Sequence, residues 1–131
     1  MAVYLITGGA RGIDSGIARR LVAQGGTVII AGKVTRHVAG ARSVICDLAD
    51  AAQVASLLMG IEILEGKLDG LVCDAAHLTH IFPLVAAAAP LLRAAPCAEV
   101  TLTSAHAASE GALASLSASL GPKIRVNCLV E

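Results

Sequence analysis

Ala2-Val3-Tyr4-Leu5-Ile6-Thr7-Gly8-Gly9-Ala10-Arg11-Gly12-Ile13 opens the chain as an apolar run that ends in a glycine-rich turn. Helical spacing follows over residues 15–24, with Ile17, Leu21 and Val22 on one side and Arg19 and Arg20 on the other. A strand, a glycine turn and a helix in that order allow backbone N–H groups to approach a pyrophosphate, which the helix N-terminus favours electrostatically. Taken alone, the same residues also describe a tight strand-to-helix turn. Their position at the first such junction of a repeating pattern decides between the two.

The repeat is read by working outward. Residues 27–31 form a second apolar run rich in β-branched side chains, and residues 43–46 form a third. Asp50 is placed to cap a helix reaching to about residue 60, followed by a strand at 71–73 and an alanine-rich helix at 82–95. Residues 99–103 and 124–130 are two further strands, separated by a helix over 107–120. Apolar strands alternating with helices predict an α/β fold with a parallel sheet covered on both faces. Right-handed crossovers make it a Rossmann-like doubly wound sheet of about six strands. The connection from 31 to 43 is too short for a crossover helix, so a helical turn or a loop is expected there.

Composition bounds the rest. The 131 residues fit one domain, 1–131. Hydrophobic residues make up 56% of the chain, enough to offset the ordering entropy, which excludes disorder for most of its length. Ten basic and ten acidic residues cancel, which argues against a nucleic-acid surface or a polybasic membrane anchor. The longest stretch free of Asp, Glu, Lys and Arg, 75–92, holds His77, Thr79, His80, Pro83 and Pro90 and makes a poor membrane span. No basic leader precedes the first apolar run, so no signal peptide is expected. Cys46, Cys73, Cys97 and Cys128 stand singly in or beside apolar runs and read as buried free thiols of a cytoplasmic protein. His77 and His80 with Cys73 and Asp74 have no structural-zinc spacing, and no metal site is expected.

Thr7-Gly8-Gly9-Ala10-Arg11-Gly12-Ile13-Asp14 resembles the Thr-Gly-x-x-x-Gly-x-Gly fingerprint of the short-chain dehydrogenase/reductase family, with Thr7, Gly8 and Gly12 in register. The resemblance runs nearly end to end. Cys46-Asp47-Leu48 looks like the element where that family meets the adenine, and Cys73-Asp74-Ala75-Ala76 looks like its Asn-Asn-Ala-Gly element. Ile124-Arg125-Val126-Asn127 looks like its sixth strand. It implies a dinucleotide held by Thr7, Gly8, Arg11, Gly12, Ile13, Asp47, Leu48, Asp74 and Ala75. Charge bears on which one. An acid at the end of the second strand suits a ribose 2′-hydroxyl, and a base suits a 2′-phosphate. Here Lys33 and Arg36 stand there without an acid, and Arg11 lies in the glycine loop, so NADP(H) is expected over NAD(H). Ordinary surface charge explains either residue taken singly.

Departures from the family pattern fall on the reacting positions. Asp14 replaces the third fingerprint glycine; a carboxylate there suits a helix cap but opposes a pyrophosphate. The resemblance places Ser104 at the family's serine, His77 at its Asn, and His106 and Glu110 at its Tyr and Lys. A histidine titrates near pH 6.5 and can donate a proton to a developing alkoxide. With Glu110 at i+4 to favour the imidazolium, and Ser104 to orient the oxygen, the four form a candidate catalytic set. The same pair also reads as a solvated polar pair at a helix start. A Ser-His-Glu hydrolase is disfavoured, because Ser104 and His106 are nearly adjacent and no nucleophile elbow is present.

Two functions stay open: an NADP(H)-dependent oxidoreductase acting on a small carbonyl or similar substrate with an altered proton donor, and a non-catalytic dinucleotide-binding or interaction module on the same core. Both are expected to self-associate. The helices at 82–95 and 107–120 carry only Arg93 and Glu110 as charges, and their small residues allow close approach across a twofold axis in a dimer or tetramer.

Overall fold

A computed structural model describes residues 1–7, 12–33, 37–74, 78–103 and 109–128 of the chain. Their order is β1 (Val3–Thr7), α1 (Gly12–Ala23), β2 (Thr27–Gly32), β3 (Arg42–Ile45), α2 (Ala51–Leu64), β4 (Gly70–Asp74), α3 (Leu78–Ala94), β5 (Glu99–Thr103), α4 (Ser109–Leu120) and β6 (Arg125–Cys128). Among the described residues six strands form one sheet in the order β3-β2-β1-β4-β5-β6. Every adjacent pair is parallel, with Leu5 opposite Ile29 on one side and Leu71 on the other. This is the doubly wound α/β sheet that the alternation predicts. No helix occupies the described part of the β2–β3 connection.

The sheet divides the core in two. Leu5, Ile29, Leu71, Val100 and Leu102 face α2, α3 and α4 in the larger cluster. Ile6, Val28, Ile30 and Val72 face α1, where Ala18 is buried and Ile17, Leu21 and Val22 pack at the edge. Among the described residues the cover of the two faces is uneven. On the α1 side, β5 and β6 present Glu99, Thr101, Arg125 and Asn127, and a cleft of about 630 Å³ opens between them and α1. These strands therefore alternate apolar toward the helices and polar away, as one-sided cover requires.

Helix boundaries also moved. α2 runs a turn past residue 60, and α3 begins four residues before 82, with Pro83 and Pro90 inside it. An interior proline costs a helix about 3 kcal/mol. Ile81, Leu84, Val85, Leu91 and Leu92 are all buried against the sheet, each contributing about 1.5–3 kcal/mol. Burial outweighs the two prolines, which sit on the exposed side. Asp50 caps α2 as read, its carboxylate accepting from the N–H groups of Ala52 and Gln53 at 2.9 and 3.3 Å. Cys46 and Cys73 are buried, but Cys97 is exposed, because it falls in the turn between α3 and β5 and not in a strand. No helix of the described residues is long and apolar enough to cross a membrane.

Candidate functional site

The strand order fixes where a ligand can sit. β1 connects through α1 to β2, whereas its other neighbour β4 connects through α3 to β5. The chain thus leaves β1 and β4 in opposite directions, and a crevice opens outside their carboxyl ends. Thr7 ends β1 at that point, and α1 starts at Gly12, so its unpaired first-turn N–H groups lie on the crevice side. Ile13 and Asp14 belong to that same turn.

Two buried hydroxyls hold the crevice floor. Thr7 Oγ1 donates to the carbonyl of Val72 at 3.3 Å, and Thr103 Oγ1 donates to the carbonyl of Cys73 at 3.4 Å. The β1–β4 ladder has its last partners at Ile6 and Val72, so the Thr7 hydroxyl takes over where the strands part. β4 is thereby tied to β1 on one side and β5 on the other, and half-buried Asp74 is fixed at the mouth. Thr103 was not singled out in the sequence, though a threonine ending an apolar strand, as Thr7 also does, was the available signal.

Farther along the same edge, Lys33 is exposed just past the end of β2, and no carboxylate stands beside it at Gly32. Beyond β3, Asp47 accepts the N–H of Ala49 at 3.0 Å, while its own N–H donates to Gln53 Oε1 at 2.8 Å. Its carboxylate thus shapes the turn into α2, and Leu48 packs against the larger core. Beside them, burial first and then the charges of Asp47 and Asp50 push the Cys46 thiol above its ordinary range.

The structure therefore brings Thr7, the start of α1 at Gly12 and Ile13, Lys33, Asp47, Leu48 and Asp74 to one edge of the sheet. Gly8, Arg11, Arg36, Ala75, His77, Ser104 and His106 lie outside the described residues. Glu110 is placed by its backbone alone, in the first turn of α4 after β5. Among the described residues no three His, Cys, Asp or Glu side chains converge as metal ligands. The 630 Å³ cleft belongs to the sheet face that the described helices leave uncovered and not to this edge.

A single parallel sheet with a carboxyl-end crevice defines a Rossmann-like α/β protein, and its fold is that of the short-chain dehydrogenase/reductases. The ligand-free aldohexose dehydrogenase of Thermoplasma acidophilum superposes with a TM-score of 0.85 at 18% identity, over 98% of this chain and 65% of that one. A metagenomic short-chain oxidoreductase in complex with NADP gives 0.84 at 22% identity, over 98% and 80%. A short-chain oxidoreductase of Pseudomonas aeruginosa, described as containing an atypical catalytic center, gives 0.83 at 19% identity, over 98% and 69%. The chain thus spans just under two thirds of the length of the first of these structures. No family model matches it.

Proposed function

We propose that this chain is a member of the short-chain dehydrogenase/reductase family that binds NADP(H) at the β1–β4 crevice and reduces a small carbonyl or similar substrate with a non-standard proton donor. The observation that carries this reading is the switch point itself, with a glycine-rich loop running from Thr7 into α1 beside it. The residues present fit the dinucleotide. Gly8, Gly12 and Ile13 supply backbone N–H groups to the pyrophosphate, with Thr7 and Asp74 holding the crevice walls. Asp47 and Leu48 border the adenine, and Ala75, next after Asp74 in the sequence, completes the set. Lys33, Arg36 and Arg11 favour the 2′-phosphate, because a cation is wanted there and no described carboxylate opposes it.

The bound nucleotide supplies the hydride. The chain's own residues handle the proton. His106 as imidazolium gives its proton to the substrate oxygen as negative charge develops there. Glu110, four residues on in the sequence, favours that charged form through its carboxylate, Ser104 orients the oxygen, and His77 takes the place of the family's Asn. Four free cysteines suit a reducing compartment, in keeping with a cytoplasmic protein. The chain works as a homodimer or a tetramer, its sparsely charged helices covered by further copies. The Pseudomonas neighbour supports the reading to this extent, that a protein of this fold is described with an atypical catalytic center.

A non-catalytic dinucleotide-binding module is the second reading, favoured by the loss of both the family's Tyr and its Lys. Turnover separates them. NADPH consumption with a panel of aldehydes and ketones is expected for the native chain and lost in His106→Phe, with NADPH affinity kept. Binding without turnover in the native chain would leave the module.

A further inference from the structure

We infer that Gln53 is a positioning residue for the adenine end of the nucleotide: its side-chain amide locks the β3–α2 turn so that one carboxylate oxygen of Asp47 is offered to the exocyclic amine of the base. The inference rests on the nucleotide reading and gives a role to a residue that reading leaves unused. Gln53 stands exposed in the first turn of α2, where a glutamine serving only the helix would point into water. Instead both ends of its amide are engaged. Oε1 accepts the N–H of Asp47 at 2.8 Å, and Nε2 donates to Oδ2 of Asp50 at 3.1 Å.

The partners fix this arrangement. A backbone N–H only donates and an ionised carboxylate only accepts, so the amide has one orientation and cannot be turned over. Asparagine is a methylene too short to span them, and methionine has neither group. In an ordinary capping box the Gln returns to the N–H of the cap residue itself. Here the N–H of Asp50 already donates to the carbonyl of Asp47 at 3.0 Å, and Gln53 reaches past the cap to the N–H of Asp47. Asp47 is thus held at both its backbone groups. Just before it, the N–H of Cys46 donates to the carbonyl of Gly32 at 2.9 Å and ties the turn to β2.

The carboxylate of Asp47 is what these bonds leave over. Its Oδ1 accepts the N–H of Ala49 at 3.0 Å, and among the described residues its Oδ2 accepts no hydrogen bond. A half-buried carboxylate oxygen at the carboxyl edge of the sheet calls for a donor. The 6-amino group of adenine is a donor, whereas the 6-oxo group of hypoxanthine is an acceptor that the same oxygen repels. An oxygen held in place distinguishes the two bases. One that swings on a loose turn gives up that distinction, because ordering it on binding offsets the bond it makes.

Calorimetric titration of the 131-residue chain with NADP+ and with its hypoxanthine analogue tests this. The native chain is expected to bind NADP+ about tenfold more tightly than the analogue, as one charge-assisted hydrogen bond implies. Gln53→Met and Gln53→Asn are each expected to bring that ratio to within about threefold of unity. Asp47→Ala is expected to do the same, and adding Gln53→Met to it should change the ratio no further, because Gln53 acts through Asp47. A variant that merely loses folded fraction weakens both nucleotides by the same factor and keeps the native ratio. A native ratio retained in both Gln53 variants would overturn the inference, and so would losses that add in the double variant. Equal binding of the two nucleotides by the native chain would overturn it while leaving the nucleotide reading in place. Binding of neither would overturn both.

Discussion

Gly70→Ala reports on the β1–β4 pairing from which the crevice is built. Gly70 is the register partner of Tyr4. A Cβ at position 70 would lie 2.6 Å from Cδ1 and 3.0 Å from Cε1 of the Tyr4 ring. Ordinary carbon contacts are about 3.5–4.0 Å, so the ring must give by about 1 Å. Its room to move is outward, toward the cleft it lines. A Cβ at Gly26 would already be 2.9 Å from Cε2, so the ring bridges two glycines. Overpacking of this kind costs about 1–3 kcal/mol, a large part of the about 5–15 kcal/mol that holds a domain together. The sign should reverse once the ring is gone. In a Tyr4→Ala background the same change only stiffens the unfolded chain, which stabilises by about 0.4–1 kcal/mol. Urea unfolding of the four proteins in the cycle measures both effects. A Gly70→Ala variant within about 0.5 kcal/mol of native, or two changes that simply add, would refute the placement of Tyr4 over Gly70 and with it the register of β1 on β4.

Asp50→Ala removes two accepted N–H bonds at the start of α2 and is expected to cost about 1 kcal/mol in urea unfolding, with Asp50→Asn costing much less. Cys97 is expected to react rapidly with a thiol reagent, while Cys46 and Cys73 react only on unfolding; mass spectrometry after brief labelling distinguishes them. The raised Cys46 thiol keeps its proton folded where the unfolded chain would release it, so its contribution is full at lower pH and declines as pH rises past the ordinary thiol range of about 8.5. Asp14→Gly is expected to tighten nucleotide binding in calorimetry by removing a charge that opposes the pyrophosphate, at some cost in stability because a glycine then stands inside the first turn of α1 rather than at its cap.

The sheet was legible because each strand signal was local. Residues 99–103 coincide with β5 and the run ending at Thr7 covers β1, both strands closing on a threonine. α3 was harder to bound. Pro83 and Pro90 argue locally against a helix, and only the burial of Ile81, Leu84 and Leu92 on a distant strand overrides them. The bare face over β5 and β6 escaped notice for a related reason. Glu99, Thr101, Arg125 and Asn127 alternate with apolar residues, but that alternation acquires a meaning only when one knows that, among the described residues, α1 covers β2, β1 and Val72 of β4 but not β5 and β6. At the site, glycine spacing and the residues at strand ends exposed the crevice. The Thr103 bond to Cys73 joins residues 30 positions apart, so the threonine closing the strand was legible but its partner was not.

Calorimetric titration of the native chain with NADPH and with NADH tests the central claim most directly, because every role assigned to the β1–β4 edge depends on a dinucleotide binding there. One NADPH per chain is expected, tighter than NADH by about tenfold or more, as one or two charge-assisted contacts to the 2′-phosphate imply. The gap should narrow in Lys33→Ala. Equal affinities would contradict the cofactor preference, and no binding of either nucleotide would contradict the site.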